Sequence, residues 1–134
     1  MKTRLFTKSL SALFLSIVLL TSACKQEDLY SSKEKDEQEL KMLRAEIQTM
    51  SDQVSCDNPT DWKIVPIGSK SCGGATGFAL YSINIDAKLF LQKVADYNSK
   101  QKAFNVKWNL VSACSIIIAP KSIICENGKP KIVY

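Results

Sequence analysis

The sequence predicts an α+β domain: an N-terminal helix, a small antiparallel sheet and a second helix, stapled by two disulfides. Three observations lead there. Apolar residues recur at helical spacing in two separate stretches. Short β-branched and aromatic runs lie between and after those stretches, and four cysteines are spread through the same region. Helices and strands in blocks, without strict alternation, are the mark of α+β order.

The first helix follows from Leu40, Leu43, Ile47, Met50 and Val54, which fall three or four residues apart and make one stripe. Ser31 with Glu34 fits a capping box ahead of it, and Glu37 and Lys41 pair one turn apart. Asn58-Pro59 opposes continuation, so a helix is expected over 33–54. The stripe is shorter than a sustained heptad run. It should therefore pack on its own domain, with pairing to a second chain as the alternative.

Trp62–Ile67 (WKIVPI) reads as a strand, with Pro66 suited to an edge or an end. Gly68–Gly77 (GSKSCGGATG) is a turn-rich loop holding Cys72, and Phe78–Ile85 (FALYSINI) alternates as a second strand. Asp86 can cap a second helix. Its stripe, Phe90, Val94, Tyr97, Gln101, Phe104 and Trp108, has one polar break. Ser115–Ala119 and Ser122–Cys125 are β-branched runs around Pro120-Lys121, and Asn127-Gly128 is a strong hairpin signal. Four cysteines allow three pairings; Cys114 and Cys125, at the two ends of the runs around Pro120-Lys121, are one candidate pair.

The residues ahead of the domain read as an address. Lys2, Arg4 and Lys8 precede an uncharged apolar run that ends in Thr21, Ser22 and Ala23, which describes a signal peptide. A spanning helix needs about 20 apolar residues, more than this run supplies. Of five cysteines, Cys24 stands alone at the cleavage point, leaving Cys56, Cys72, Cys114 and Cys125. An exported chain meets an oxidising space, where an even set of four implies two disulfides. Leu20-Thr21-Ser22-Ala23-Cys24 resembles a bacterial lipobox, which implies cleavage before Cys24 and acyl lipid on it. Thr21 stands where leucine is usual, so ordinary signal-peptidase processing is the alternative. The expected division is 1–23 signal peptide, 24–32 lipidated N-terminus and loose spacer, and 33–134 a single domain. Glu27-Asp28 resembles the surface-export signal of Bacteroidota lipoproteins, against the alternative of a solvated linker.

Charge is unevenly divided. Lys25–Ser55 has five bases and eight acids, whereas Cys56–Tyr134 has ten bases and five acids. The basic half points to an anionic partner, with solubility as the plainer explanation. Lys93, Lys100 and Lys107 repeat every seven residues and form a candidate basic face for lipid headgroups, lipopolysaccharide or an acidic protein. A solvated helix face is the alternative, and nucleic acid suits an exported, anchored domain poorly.

Little points to catalysis. The chain has no histidine, which removes the commonest general base and metal ligand. The four domain cysteines lack the short spacing of a zinc site, so no metal or other cofactor is expected. The domain's acids are Asp57, Asp61, Asp86, Asp96 and Glu126, several of them at turn or cap positions. The glycine-rich loop lacks the ending of a phosphate-binding loop. Pinned by a disulfide, it would be a preorganised binding loop through Ser69, Lys70, Gly73, Gly74 and Thr76.

As a set, Cys56, Trp62, Ile67-Gly68-Ser69-Lys70, Cys72-Gly73-Gly74, Tyr81-Ser82, Ile85-Asp86, Phe90-Leu91, Lys93-Val94, Tyr97, Asn105, Lys107-Trp108, Cys114, Pro120, Cys125 and Asn127-Gly128-Lys129 resemble a group of small Bacteroidota lipoproteins with an IGSKxCGG motif. The resemblance spans about Ile47–Tyr134. Ala75 and Ala113 depart from it, standing where that group commonly has proline and aspartate. It implies one domain with four paired cysteines and supplies no catalytic residue. The expected function is a cell-envelope lipoprotein, anchored through Cys24 at the outer membrane, that binds a protein or an anionic envelope ligand without catalysis. Alternatives are inhibition of a protease or lysozyme, and assembly through helix 33–54.

Overall fold

The segment Lys25–Ser32 contains no glycine or proline, and lysine, glutamine, glutamate and leucine are good helix formers. In the computed structural model, which describes backbone from Cys24 and side chains from Ser32, this segment is helical. Helix α1 spans Cys24–Ser51, so 24–32 is not a loose spacer, and Ser31 lies inside the helix instead of capping it. The signal peptide at 1–23 lies outside the described residues. The chain divides after Glu37 into two units. In the described part of the first, Lys33 and Glu37 pair across one turn at 3.9 Å.

The second unit, Gln38–Tyr134, carries every strand among the described residues. Helix α1 stops at Ser51, three residues short of expectation, because the chain must leave it to reach the C-terminal hairpin. There the Cys56 amide donates to Gly128 O at 2.8 Å, and Cys56 is bonded to Cys125. A 3-10 turn at Pro59–Asp61, capped by Asn58, then feeds strand β1, Trp62–Ile67. Strand β2, Gly77–Ser82, pairs antiparallel with β1 in register from Trp62 opposite Ser82 to Ile67 opposite Gly77. Helix α2 spans Ala87–Lys107, and Asp86 Oδ1 accepts from the Leu89 amide at 2.9 Å as its cap.

Strands β3 (Ser122–Glu126) and β4 (Lys129–Val133) form a second hairpin. Its turn places Asn127 at φ 52° and Gly128 at φ 73°. Two successive positive φ values are what a two-residue turn matching the sheet twist requires. The antiparallel strands thus form two separate two-stranded sheets. Ser115–Ala119, read as strand-forming, is not a strand: 110–121 has no regular structure, and Ile116 is 95% exposed. β-branched side chains favour a sheet only where a neighbour and a buried face exist, and this run has neither.

Helices α1 and α2 lay their stripes against the β1–β2 hairpin. Ile47 and Met50 from α1, Ile67 from β1, and Phe90 and Val94 from α2 form the core, with Val65, Ala79, Tyr81, Ile85 and Tyr97 packed around it. Phe90 is fully enclosed and stacks on Tyr81, ring centroids 5.0 Å apart. Ser51 is buried too, and its hydroxyl donates to Leu80 O at 2.7 Å, tying the end of α1 to β2. Because Ile47 and Met50 face inward, these two positions offer no exposed seam for a second chain.

The pairing Cys56–Cys125 replaces the candidate pair Cys114–Cys125. It joins the exit of α1 to β3 across 69 positions. Cys72 and Cys114 are thiols lying side by side. Closing so long a loop constrains the unfolded chain by about 4 kcal/mol. Cys56→Ala with Cys125→Ala is therefore expected to lower unfolding stability by about 4 kcal/mol in urea titration; a loss below about 1 kcal/mol would contradict this role.

Candidate functional site

Three amides on one face of α2 set the shape of the glycine-rich loop. Asn98, Gln101 and Asn105 are spaced three and four residues apart, so they line up along the helix. Asn98 Oδ1 accepts from the Gly68 amide at 2.6 Å, and Gln101 Oε1 accepts from the Ser69 amide at 2.8 Å. Asn105 Nδ2 donates to Ser69 O at 2.8 Å. Gly68 must be glycine here: its φ is +86°, and a Cβ would lie 1.8 Å from Thr76 Oγ1. Thr76 in turn donates from its amide and its hydroxyl to Ile67 O, at 3.0 and 3.1 Å.

Beyond this clamp the loop turns back on itself. The Lys70 amide donates to Gly74 O at 2.9 Å, and the Gly73 amide donates to Lys70 O at 3.0 Å. Gly73 and Gly74 have positive φ, with nothing within 4 Å of where a Cβ would project. That open side faces a groove of about 690 Å³. Ser69–Gly74 form one wall, and Lys102, Asn105, Val106, Asn109 and Leu110 form the other. Of the five predicted loop residues, Ser69, Lys70, Gly73 and Gly74 line this groove, whereas Thr76, itself exposed, lies outside the lining and bonds Ile67 O beside Gly68.

The irregular stretch after α2 is fastened to the same loop. Ser112 Oγ accepts from the Ser71 amide at 2.9 Å, and Lys70 Nζ donates to Ser115 O. Between these two ties the exposed Cys72 and Cys114 thiols both lie against Ser112, Cys72 Sγ 3.9 Å from its Oγ and Cys114 Sγ donating to its carbonyl oxygen at 3.8 Å. The neighbouring Cys114 thiol, helped by Ser112 and the Lys70 charge, holds Cys72 below the usual thiol pKa. The neighbouring Cys72 pushes Cys114 up.

The predicted basic face is put to another use. Lys93 Nζ lies 2.7 Å from Glu46 Oε2, and Lys100 Nζ lies 2.6 Å from Glu39 Oε1. The Glu39 carboxylate raises the Lys100 pKa. Arg44 of α1 adds a contact over the Tyr97 ring at 5.9 Å, and Lys107 sits over Trp108 at 4.9 Å. The acidic helix and the basic helix therefore neutralise each other along their shared edge. Lys93 and Lys100 point at α1, not together with Lys107 at an outside partner.

Several of the domain's acids are engaged in local structure. Asp57 accepts from the Ser55 hydroxyl, Asp86 caps α2, and Glu126 pairs with Lys131 across the second hairpin. Asp61, beside Trp62, closes the 3-10 turn and accepts the Ile83 amide through its carbonyl. Among the described residues, no three His, Cys, Asp or Glu side chains converge as metal ligands. Asn98 and Ser112 carry no expectation from the sequence, Asn105 figures there only in the resemblance, and Gln101 reads there as a break in the apolar stripe. The available signal was three amides repeating at helical spacing. Comparison with protein-family models, curated proteins and solved structures returns no match.

Gly68→Ala is expected to cost more than about 2 kcal/mol, since it adds a left-handed-backbone penalty to a clash with the Thr76 side chain. Urea unfolding checks this, and a neutral result would show that Thr76 can swing aside.

Proposed function

We propose that the chain is a lipid-anchored envelope lipoprotein whose folded unit binds a partner protein, without catalysis, in the groove between Ser69–Gly74 and Lys102–Leu110. The anchor rests on the sequence: a basic start, an uncharged apolar run and small residues directly before Cys24. The likeness to small Bacteroidota lipoproteins supports the same reading. More than one acyl chain on Cys24 would make the attachment durable.

One observation carries the binding reading: the groove wall is main chain held in place by Asn98, Gln101 and Asn105. A surface fixed before encounter loses little conformational freedom on binding. Its rim offers an exposed apolar side chain, Val106 at 72% exposure, beside the exposed cation Lys102. This combination favours a protein segment carrying an acidic side chain next to an apolar one. Inhibition of an envelope protease or lysozyme is one form that such binding would take.

Two outcomes are expected. Intact-mass measurement of protein extracted from membranes gives a chain beginning at Cys24 with acyl mass added, and Cys24→Ser moves the protein to the soluble fraction. A chain retaining residues 1–23 would contradict the anchor. In pull-downs from cell envelopes, Lys102→Glu with Val106→Asp loses the bound species, whereas Lys88→Glu at the far end of α2 keeps it. A species held equally by both variants does not use the groove.

A further inference from the structure

The two cysteine pairs occupy opposite environments. Cys56 is 2% exposed and already bonded to Cys125. Cys72 and Cys114 are both exposed, side by side and unbonded. Cys72 also lines the open groove of about 690 Å³, so a partner chain lying there has its sulfur within reach. Cys114 belongs to the irregular stretch 110–121, where Val111 is 97% exposed. Joining or parting the two sulfurs therefore moves no core residue. A structural crosslink, by contrast, gains permanence from burial and from closing packed elements.

We infer that Cys72 and Cys114 form a thiol–disulfide exchange site, with Cys72 as the groove-facing sulfur that meets the exchange partner and Cys114 as the resolving thiol. The substrate class is an accessible disulfide, R–S–S–R, small or on a protein segment. The Cys72 thiolate attacks one sulfur, forming Cys72–S–S–R and releasing R–S⁻. Cys114 gives its proton to that leaving thiolate and attacks Cys72 Sγ. The S–S bond of the mixed disulfide breaks, and the second R–S⁻ departs and takes up from solvent the proton that Cys72 released on ionising. Two electrons pass from the protein dithiol to R–S–S–R, and the products are one intramolecular disulfide and two thiols. The reverse sequence reduces the pair.

The surroundings favour this division of labour. Lys70 and Ser112 stand by Cys72, whose thiolate is favoured, while Cys114 holds its proton more tightly. The thiolate is the attacking form, so the sulfur that ionises first attacks first. Ser112 also accepts the Ser71 amide, so the stretch carrying Cys114 stays beside the loop while the sulfurs exchange. This assignment stands whether or not a partner occupies the groove.

Glutathione and its disulfide serve as the probe on the full chain, with thiols trapped by alkylation and assigned by peptide mass. In mixtures of graded ratio, the Cys72–Cys114 pair is expected to pass reversibly between dithiol and disulfide while Cys56–Cys125 stays bonded throughout. With Cys114→Ser, glutathione accumulates on Cys72; with Cys72→Ser, it adds to Cys114 more slowly, on the order of tenfold. The titration needs no variant, so it stands even if a substitution disturbs folding. A Cys72–Cys114 pair reduced only together with Cys56–Cys125 would overturn the assignment. So would capture on Cys114 as fast as on Cys72.

Discussion

The burial of Phe90 orients everything that could act on a partner. Once that ring is enclosed against Tyr81, with Ile47, Met50, Ile67 and Val94 around it, the rotation of α2 about its axis is set. Three faces of one helix then acquire fixed duties. The apolar face holds the core, and the amide face (Asn98, Gln101, Asn105) holds the backbone of the glycine-rich loop. The face bearing Lys93 and Lys100 meets the acids of α1. Turning α2 by a fraction of a turn would lose all three sets of contacts together. The loop's geometry thus depends on packing at a distance from the loop.

Charge has a similar internal logic. The acids before Ser55 and the bases after Cys56 look like a message to an outside partner. Part of that message is read within the molecule, by Glu39 and Glu46 facing Lys100 and Lys93. Pairs this exposed add little stability singly, but they discourage a sideways slip that would set like charges together. The cations left beside the groove, Lys70 and Lys102, are few. An apolar segment with one acid suits them better than a heavily anionic surface does.

The elements that local rules govern were legible. Asp86 as a helix cap, Trp62–Ile67 as a strand, and Asn127-Gly128 as a turn each follow from a few neighbouring residues, and each stands where the sequence puts it. The helix over 24–32 is a miss of a local signal, but the other failures share a cause, since each needed knowledge of a distant neighbour. Ser115–Ala119 has strand-forming side chains but no adjacent strand. Cys125 finds Cys56, remote along the chain, before Cys114, which is near. The groove was only half visible. Its glycine-rich wall is a motif, whereas the amides of α2 reveal their purpose only when the loop lies across them. Lys93 and Lys100 repeat regularly, yet periodicity alone does not say which side of a helix faces a neighbour.

The bond between Cys56 and Cys125 also defines a load path. Cys56 follows closely on the exit of α1, and its partner lies in the last hairpin, so the bond shortcuts the 69 positions between. Tension applied between α1 and the C-terminus would run through sulfur and bypass the glycine-rich loop, α2 and the irregular stretch. The groove hangs within the bypassed segment like a bight in a fastened rope. Tugging on the two ends would leave its shape undisturbed.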